Sequence, residues 1–210
     1  MRWYRNSVIG KLMAPILLLL LIGFGLLTVL NGSWLYSVGW EGIREEGNEA
    51  ALRVATQVEG YFEKYGNIVQ ALAQSEDVRS FAGKAIYRRP AAHRGDEDYE
   101  RYLATISRIT QQDNNILNMY FGSEKTQTGF DTTEFEPPAD YRVGDLDWYR
   151  DGKRADGLHF TDPYVDEVTG ELVLSVTYPI YIDGSFQGLL GMDLLLDTIN
   201  DQARGIRTHE

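Results

Sequence analysis

Carboxylates and aromatic rings stand side by side in one short stretch of the chain, YRVGDLDWYRDG at residues 141–152. Asp147 directly precedes the pair Trp148 and Tyr149, and Asp145 lies two residues before Asp147. Carboxylates beside aromatic rings are a combination that binds a small organic cation. The carboxylate carries a negative charge, and the face of the ring has a negative electrostatic potential. The same residues also fit a half-buried strand and turn that bind nothing. The stretch by itself leaves both interpretations open.

The chain lacks the residue patterns of the common catalytic and metal sites. It contains no cysteine, and His159 and His209 are isolated. It has no Ser-His-Asp spacing, no H-E-x-x-H and no phosphate-binding glycine loop. We therefore predict that the protein is not an enzyme and that it needs neither a metal nor a cofactor. His93 lies in a charge-rich segment, YRRPAAHRGDED, and is predicted to be a solvated loop residue.

The charge distribution argues against a nucleic-acid partner. The formal net charge is −11, and because residues 1–31 contribute +3, the rest of the chain carries −14. Nucleic-acid binding needs a basic face to meet the phosphates. An acidic surface attracts cations only weakly at physiological salt, and it also fits a solubility or salt-adaptation role.

An apolar run near the N-terminus predicts a membrane helix. Residues 12–30 carry no charge, and at about 1.5 Å per residue they span about 28 Å, close to the thickness of a bilayer core. The basic residues before the run place the N-terminus in the cytoplasm. We predict a cytoplasmic segment at 1–11, a transmembrane helix at 12–32, and a periplasmic remainder held by this single pass in a bacterial inner membrane. A cleaved signal peptide is the alternative, but the apolar run is long for one.

A heptad pattern then predicts a long periplasmic helix over residues 33–75. Its apolar seam consists of Gly47, Ala51, Val54, Val58, Tyr61, Tyr65, Ile68 and Leu72. This seam can pack on the sheet of its own domain, form a homodimer, or do both on different faces. We favour self-association, since the helix exceeds the usual length in globular domains.

The second half of the chain predicts an α+β fold. The periodicity fades from Asp77 to Gly95, where the segment YRRPAAHRGDED is interpreted as a loop, and a second helix is expected from about Tyr99 to Gln112. Period-two segments follow, and they predict an antiparallel sheet of about five strands with helices on one face. The strand-like segments are NILNMYFGS, QTGFDTTE, LHFTDPYVD, LVLSVTYPIYI and QGLLGMDLLL.

This order of elements resembles the membrane-distal module of a double Cache (dCache) domain, the extracellular sensor of bacterial methyl-accepting chemotaxis receptors. The resemblance covers about residues 8–200 and is most specific over 141–193. It implies a PAS-like Cache module at 76–200. Residues 201–210 would begin the connection to a membrane-proximal module.

In amino-acid-sensing members of that family, the ligand contacts follow a sparse pattern: a Tyr, an Arg, a Trp-Tyr pair, Tyr-x-Asp, and a last Asp in a glycine-containing strand. The matching residues here are Tyr141, Trp148, Tyr149, Tyr164, Asp166 and Asp193. The resemblance implies that these residues bind a small-molecule ligand. The chain departs from the pattern at the arginine position, where it has Leu146.

The absence of the arginine changes which ligand we expect. An arginine fork holds a carboxylate through two donors, and leucine cannot. Asp166 and Asp193 can still accept N–H groups, and the rings can each contribute about 0.5–2 kcal/mol to a desolvated cation. We therefore expect an amine, such as a polyamine or a quaternary ammonium compound, with an amino acid as second choice. Arg142 or Arg150 could replace the clamp, although strand alternation puts Arg142 opposite Tyr141.

Each candidate also has a purely structural interpretation. Trp148 and Tyr149 could be core rings, and Asp166 could cap a turn. Asp193 is different, because an acid in an apolar strand needs partners if it is buried.

The predicted function is the extracytoplasmic sensor of a transmembrane chemoreceptor that signals through its membrane helix. The alternatives are the sensor of a histidine kinase or diguanylate cyclase, which reuse such domains, and an amino-acid-binding dCache domain with a replaced clamp.

Overall fold

The computed structural model describes the backbone of residues 8–166 and 169–196, and their side chains except those of 8–17 and 32–46. The chain divides into two compact units, residues 1–56 and 57–210. The predicted connection at 201–210 lies outside the described residues, as does most of the predicted N-terminal segment at 1–11.

Helix α1, Val8–Ala73, supplies the first unit and the start of the second. It covers the segments predicted as a membrane helix (12–32) and a long periplasmic helix (33–75). Within the described ranges, no helix meets the combined length and hydropathy needed to cross a membrane. The assignment of these two segments stays a prediction.

The second unit is a mixed domain of helices and one antiparallel sheet. Its α-helices are α2 (Glu76–Lys84), α3 (Glu97–Gln112) and α4 (Asp147–Ala155), and 3-10 helices span Pro90–His93 and Val143–Asp145. Its strands are β1 (Ile116–Ser123), β2 (Gly129–Asp131), β3 (His159–Phe160), β4 (Tyr164–Val165), β5 (Leu172–Ile182) and β6 (Ser185–Leu195).

The sheet has the order β2-β1-β6-β5-β3, with β4 also paired to β5. The α+β prediction is confirmed, with six strands instead of about five. The extra strand arises because LHFTDPYVD, predicted as one strand, is divided into β3 and β4 around Pro163, whose missing N–H interrupts a ladder. The tight turn between β5 and β6 forms at Asp183 and Gly184, which both have positive φ angles of 50° and 76°.

Strand register separates two faces of the sheet. On one face, Phe121 is paired with Leu190 and Val176 with Met192, and these side chains form the main core with the helices. On the other face, Gly152 of α4 lies against Thr177 and Leu189. The predicted placement of the helices on one face therefore fails for α4, which covers the opposite face.

The end of α1 packs within its own domain. Tyr61, Tyr65, Val69 and Ala73 recur every four residues and are buried in the main core. Ala51, nearer the N-terminus on the predicted seam, is exposed. The intramolecular interpretation of the seam thus holds from Tyr61 onward, and the homodimer stays a prediction.

The periodicity predicts no helix between Asp77 and Gly95, which is wrong because Glu76–Lys84 form helix α2. Ser75 caps this helix by accepting a hydrogen bond from the amide of Val78, at 3.5 Å. The prediction that His93 is solvated is also wrong, because only 5% of it is exposed. Its Nε2 lies 3.0 Å from the carbonyl oxygen of Tyr87, and its ring centroid lies 5.3 Å from that of Phe81. A helix of nine residues carries too short a pattern to stand out in a charged segment.

Replacing Phe81 by alanine tests this core. Its side chain is 1% exposed and packs against the rings of Tyr102 and Phe130, at centroid distances of 4.9 and 5.1 Å. We expect Phe81→Ala to lower the free energy of unfolding by about 3–5 kcal/mol, through lost burial and a cavity. Urea denaturation followed by circular dichroism measures it. The control Ile86→Ala, at a side chain that is 53% exposed, should change stability by about 0.5 kcal/mol or less.

Candidate functional site

The sheet face under α4 is built from small residues that admit large rings. A Cβ at Gly191 would lie 2.3 Å from Cε2 of Tyr120, and one at Gly122 would lie 2.7 Å from Cη2 of Trp148. Both rings therefore lie directly on the strands, where any larger residue would displace them. Their centroids are 4.9 Å apart, in an edge-to-face arrangement.

Asp193 on β6 is the charged group beneath these rings. It is 4% exposed. Its Oδ1 accepts hydrogen bonds from Ser175 Oγ at 2.5 Å, from the Tyr120 hydroxyl at 2.7 Å and from the Tyr164 hydroxyl at 3.3 Å. Burial raises the pKa of Asp193 to about 6 even though these hydrogen bonds oppose the shift. Among the described residues, the side-chain hydrogen bonds to this carboxylate go to Oδ1.

The structure places Tyr164 next to Asp193 and connects Trp148 to it through Tyr120, and the role of these residues in ligand binding stays a prediction. Tyr164 reaches the carboxylate directly and also lies 2.7 Å from Ser175 Oγ. Trp148 reaches it through Tyr120, whose hydroxyl binds Asp193 and whose ring contacts the indole. The phenol groups also respond to burial, which raises the pKa of Tyr164 and that of Tyr120.

Asp166 takes the structural role that the sequence left open. Its Oδ1 accepts hydrogen bonds from the amide and the hydroxyl of Thr169, both at 2.7 Å, and so closes the turn before β5. Its charge still reaches the site, since it contributes to raising the pKa of Asp193. It adds negative potential there without a direct contact.

Tyr149 and Tyr141 lie in a second, smaller apolar cluster. Tyr149 is 1% exposed and packs with Val143 and Leu189, while its hydroxyl donates to Oε2 of Glu124 at 2.9 Å. Burial, aided by Glu124, raises the pKa of Tyr149. Tyr141 packs against the same cluster. The structure therefore separates the Tyr149 hydroxyl from Asp193 and gives this ring a core role.

The strand predicted around residue 141 is wrong. A 3-10 helix at Val143–Asp145 leads into α4, so strand alternation does not govern Arg142. Leu146, at the position where the resemblance expects arginine, packs against the smaller apolar cluster. Arg150 donates to the carbonyl of Asp145 at 3.0 Å and pairs with Asp147. Asp147 lies in the first turn of α4, where it pairs with Arg150, and Asp145 lies in the 3-10 helix before α4.

Arg142 and Arg150 open onto a separate surface pocket of about 460 Å³. Its lining residues are Glu124, Gln127, Arg142, Gly144, Asp145, Tyr149, Arg150, Lys153 and Arg154. Neither Asp193 nor Tyr164 lines it. Within the described side chains, no group of three or more His, Asp or Glu residues is placed to hold a metal ion.

Sequence reasoning missed Tyr120 and Ser175, although a signal for both existed. They lie on β1 and β5 in positions that face α4, and each alternates with buried apolar neighbours. Small or polar residues at every second position of an otherwise apolar strand mark a face with a separate role. A buried acid on one strand predicts hydrogen-bond donors at the facing positions of the neighbouring strands.

A model of a known family matches much of the chain. The model described as methyl-accepting chemotaxis protein-like, first PDC sensor domain, matches residues 65–201. Two curated relatives are methyl-accepting chemotaxis proteins. PscA of Pseudomonas syringae pv. tomato is 33% identical over 91 residues, which are 43% of this chain and 14% of PscA. McpG of Pseudomonas putida is 25% identical over 188 residues, which are 89% of this chain and 26% of McpG.

Solved chemoreceptor domains have the same fold. The ligand-binding domain of the amino acid chemoreceptor PctC from Pseudomonas aeruginosa, in complex with GABA, matches with a TM-score of 0.56 and 24% identity, over 74% of this chain and 65% of that one. The ligand-binding domain of Tlp3 from Campylobacter jejuni, in complex with L-norvaline, matches with a TM-score of 0.58 and 18% identity, over 74% and 59%. The chain therefore spans less than two thirds of these domains.

The burial of Asp193 predicts a pH-dependent stability. Its pKa is about 6 in the folded chain against 3.8 for an ordinary Asp, so the folded state holds the proton more tightly than the unfolded state. The contribution of Asp193 to the free energy of unfolding should therefore become less favourable as pH rises from about 4 to about 6, by about 3 kcal/mol at most. The side chain that replaces it in Asp193→Asn cannot titrate. The free energy of unfolding of this variant should therefore increase relative to that of the native chain as pH rises over this range. Urea unfolding at several pH values measures the difference, and parallel curves for the two proteins would contradict the assignment.

Proposed function

We propose that this chain, which belongs to the family of methyl-accepting chemotaxis protein-like first PDC sensor domains, binds a small cationic amine beside Asp193. The family comprises ligand-binding sensor domains of chemotaxis receptors and not enzymes. The observation that carries the proposal is a buried carboxylate with three hydroxyl groups on one of its oxygens, and in this proposal the other oxygen meets the ligand.

An ammonium group suits this arrangement. When the Asp193 side chain is ionised, its Oδ2 would accept a charge-assisted hydrogen bond from the ligand. Such a bond contributes about 1.5–3 kcal/mol. The rings of Tyr120 and Trp148 lie next to each other above the sheet, where their faces would contact the alkyl groups or the positive charge. Since Asp193 is 4% exposed, we infer that these rings move apart when the ligand enters.

The absence of a carboxylate clamp favours an amine over an α-amino acid. Leu146 supplies an apolar contact within the smaller cluster, whereas a ligand carboxylate needs a cationic donor. Arg150 already pairs with Asp147. A ligand with an ammonium group and no adjacent carboxylate leaves no buried charge unpaired.

An amino acid is the second candidate, and the relatives favour it. The solved domains with this fold include complexes with L-norvaline, L-glutamine and GABA. Each of these ligands carries an amino group as well as a carboxylate. In this chain, Arg142 would be the residue to take over the carboxylate, because it lines a pocket that also contains Tyr149.

We further propose that the domain works outside the cytoplasmic membrane. In this proposal residues 1–11 are cytoplasmic, residues 12–32 span the inner membrane, and residues 33–75 form a stalk that mediates homodimerisation and transmits the signal. The curated relatives are chemotaxis proteins of which this chain covers 14% and 26%, which supports a chemotaxis output over a histidine kinase or a diguanylate cyclase. Ligand binding would shift the equilibrium between two signalling states.

Calorimetric titration of the full chain tests the ligand class. We expect putrescine to bind, and Asp193→Asn to weaken it about tenfold to a hundredfold, the cost of one charge-assisted hydrogen bond. Asp183→Asn is the matched control, since it removes the same charge from the exposed β5–β6 turn and should leave the affinity unchanged. Choline tests the contribution of the rings, because it offers no N–H group.

The same titration distinguishes the second candidate. L-Alanine and GABA should produce no binding heat if the ligand is an amine without a carboxylate. Binding of L-alanine together with no binding of putrescine would overturn the amine proposal. Loss of that L-alanine binding in Arg142→Ala would then identify the replacement clamp.

A further inference from the structure

Two surface segments meet at the edge of the domain. The first, residues 85–95, follows α2 and is here called the arginine segment. The second, residues 132–142, joins β2 to the 3-10 helix that precedes α4, and it ends with Tyr141 and Arg142; it is here called the site loop. Each of the three arginines in the arginine segment contacts the site loop.

These contacts differ in kind. Arg88 donates through Nη2 to the carbonyl oxygen of Pro138 at 2.9 Å and to that of Tyr141. Arg94 binds both carboxylate oxygens of Glu134, at 3.1 and 2.5 Å. Arg89 only approaches Glu136, at 3.9 Å, and its side chain is 81% exposed.

The site loop contains no helix or strand, and most of its residues are exposed. Its ring contacts are at Tyr141, which packs against the smaller apolar cluster and lies 5.6 Å from the ring of Phe135. Its own backbone hydrogen bonds include those from the amide of Tyr141 to Pro138 at 3.1 Å and from Glu134 to Asp131 at 3.4 Å. A mostly exposed segment without a strand ladder has low local stability. Side chains that bind its carbonyl groups therefore affect its position.

The end of the site loop leads through the 3-10 helix into α4. Directly after it, the amide of Val143 binds the carbonyl of Gln127 at 3.1 Å, and the amide of Leu146 binds that of Val143 at 3.1 Å. Helix α4 begins at Asp147, so Trp148 lies in its first turn. A shift at Tyr141 would be passed along these few residues to the indole that lies over Gly122.

We propose that Arg88 is a positioning residue for the ligand site. It holds the main chain at Tyr141 from the far side of the loop, and it thereby fixes the approach of α4 and of Trp148 to the sheet. Arg88 acts on the loop and does not contact Asp193 or the ligand. The proposal deepens the proposed function, since the site that it positions is the one assigned to the amine.

Hydrogen exchange of the full chain, read by mass spectrometry, tests the positioning without any ligand. In Arg88→Ala, amides of residues 134–149 should exchange about tenfold faster, while those of β5 and β6 should be unchanged, because the core does not depend on this contact. Arg89→Ala is the matched control, with the same charge change at an exposed neighbour, and should match the native chain. Arg88→Lys, which keeps the charge and one donor direction, should restore part of the protection.

A titration with putrescine and with L-alanine completes the test. Whichever of the two binds the native chain should bind Arg88→Ala about tenfold more weakly and Arg89→Ala with native affinity. Native exchange in Arg88→Ala would overturn the proposal, as would faster exchange with native affinity. Because the exchange measurement uses no ligand, a failure of the amine assignment would appear only in the titration of the native chain and would be distinguished from a failure of the positioning role.

Discussion

The carboxylate of Asp193, buried within an apolar strand, constrains the whole face of the sheet on which it lies. A buried acid is costly unless hydrogen bonds offset its loss of solvation, and here three hydroxyl groups from β1, β4 and β5 converge on one oxygen. For the hydroxyl groups to reach it, β1 and β5 must keep their register with β6, and β4 must keep its register with β5. The glycines beside them and the covering helix α4 follow from the same need, since the rings that shield the acid require room.

The two faces of the sheet have separate tasks, and residue alternation keeps them apart. One face forms the main core with α2, α3 and the last turns of α1, from Tyr61 to Ala73. The other carries the acid and its hydroxyl partners beneath α4. Adjacent residues on β6, such as Met192 and Asp193, therefore belong to different environments. Any influence of a ligand on the helical face has to pass through the strands themselves, which supports a role for small shifts of the sheet in signalling.

The parts of the fold that the sequence predicted correctly are those with a long, uniform pattern. The strands β5 and β6 are eleven residues long and mostly buried, and Asp193 stands out because a charge interrupts an apolar run. Tyr164 was identified by the resemblance to the sensor family and not by the pattern of its own strand, which is two residues long. Helices α2 and α4, of nine residues each, were missed. In α4 the pair Trp148 and Tyr149 favours a strand by local propensity, but packing against the sheet decides the conformation.

The site itself was predictable only where a single residue type carried the signal. The position of Asp193 follows from its own strand, whereas the contact of Tyr120 with it depends on which strand is the neighbour of β6. Neighbours in a sheet come from the topology, and β1 and β6 lie far apart in the chain. The burial of His93 has a similar origin, because its surroundings include Phe81 and Phe130 from distant elements.

The contact between Arg88 and the backbone of the site loop has a consequence for how ligand preference can change among such receptors. Its donors meet carbonyl oxygens, which every amino acid possesses, so the hold does not depend on which side chain stands at position 141. Substitutions there can reshape the rim of the recognition surface while the loop keeps its course. A lineage of such receptors could in this way acquire new chemical preferences one residue at a time, with the supporting scaffold left intact.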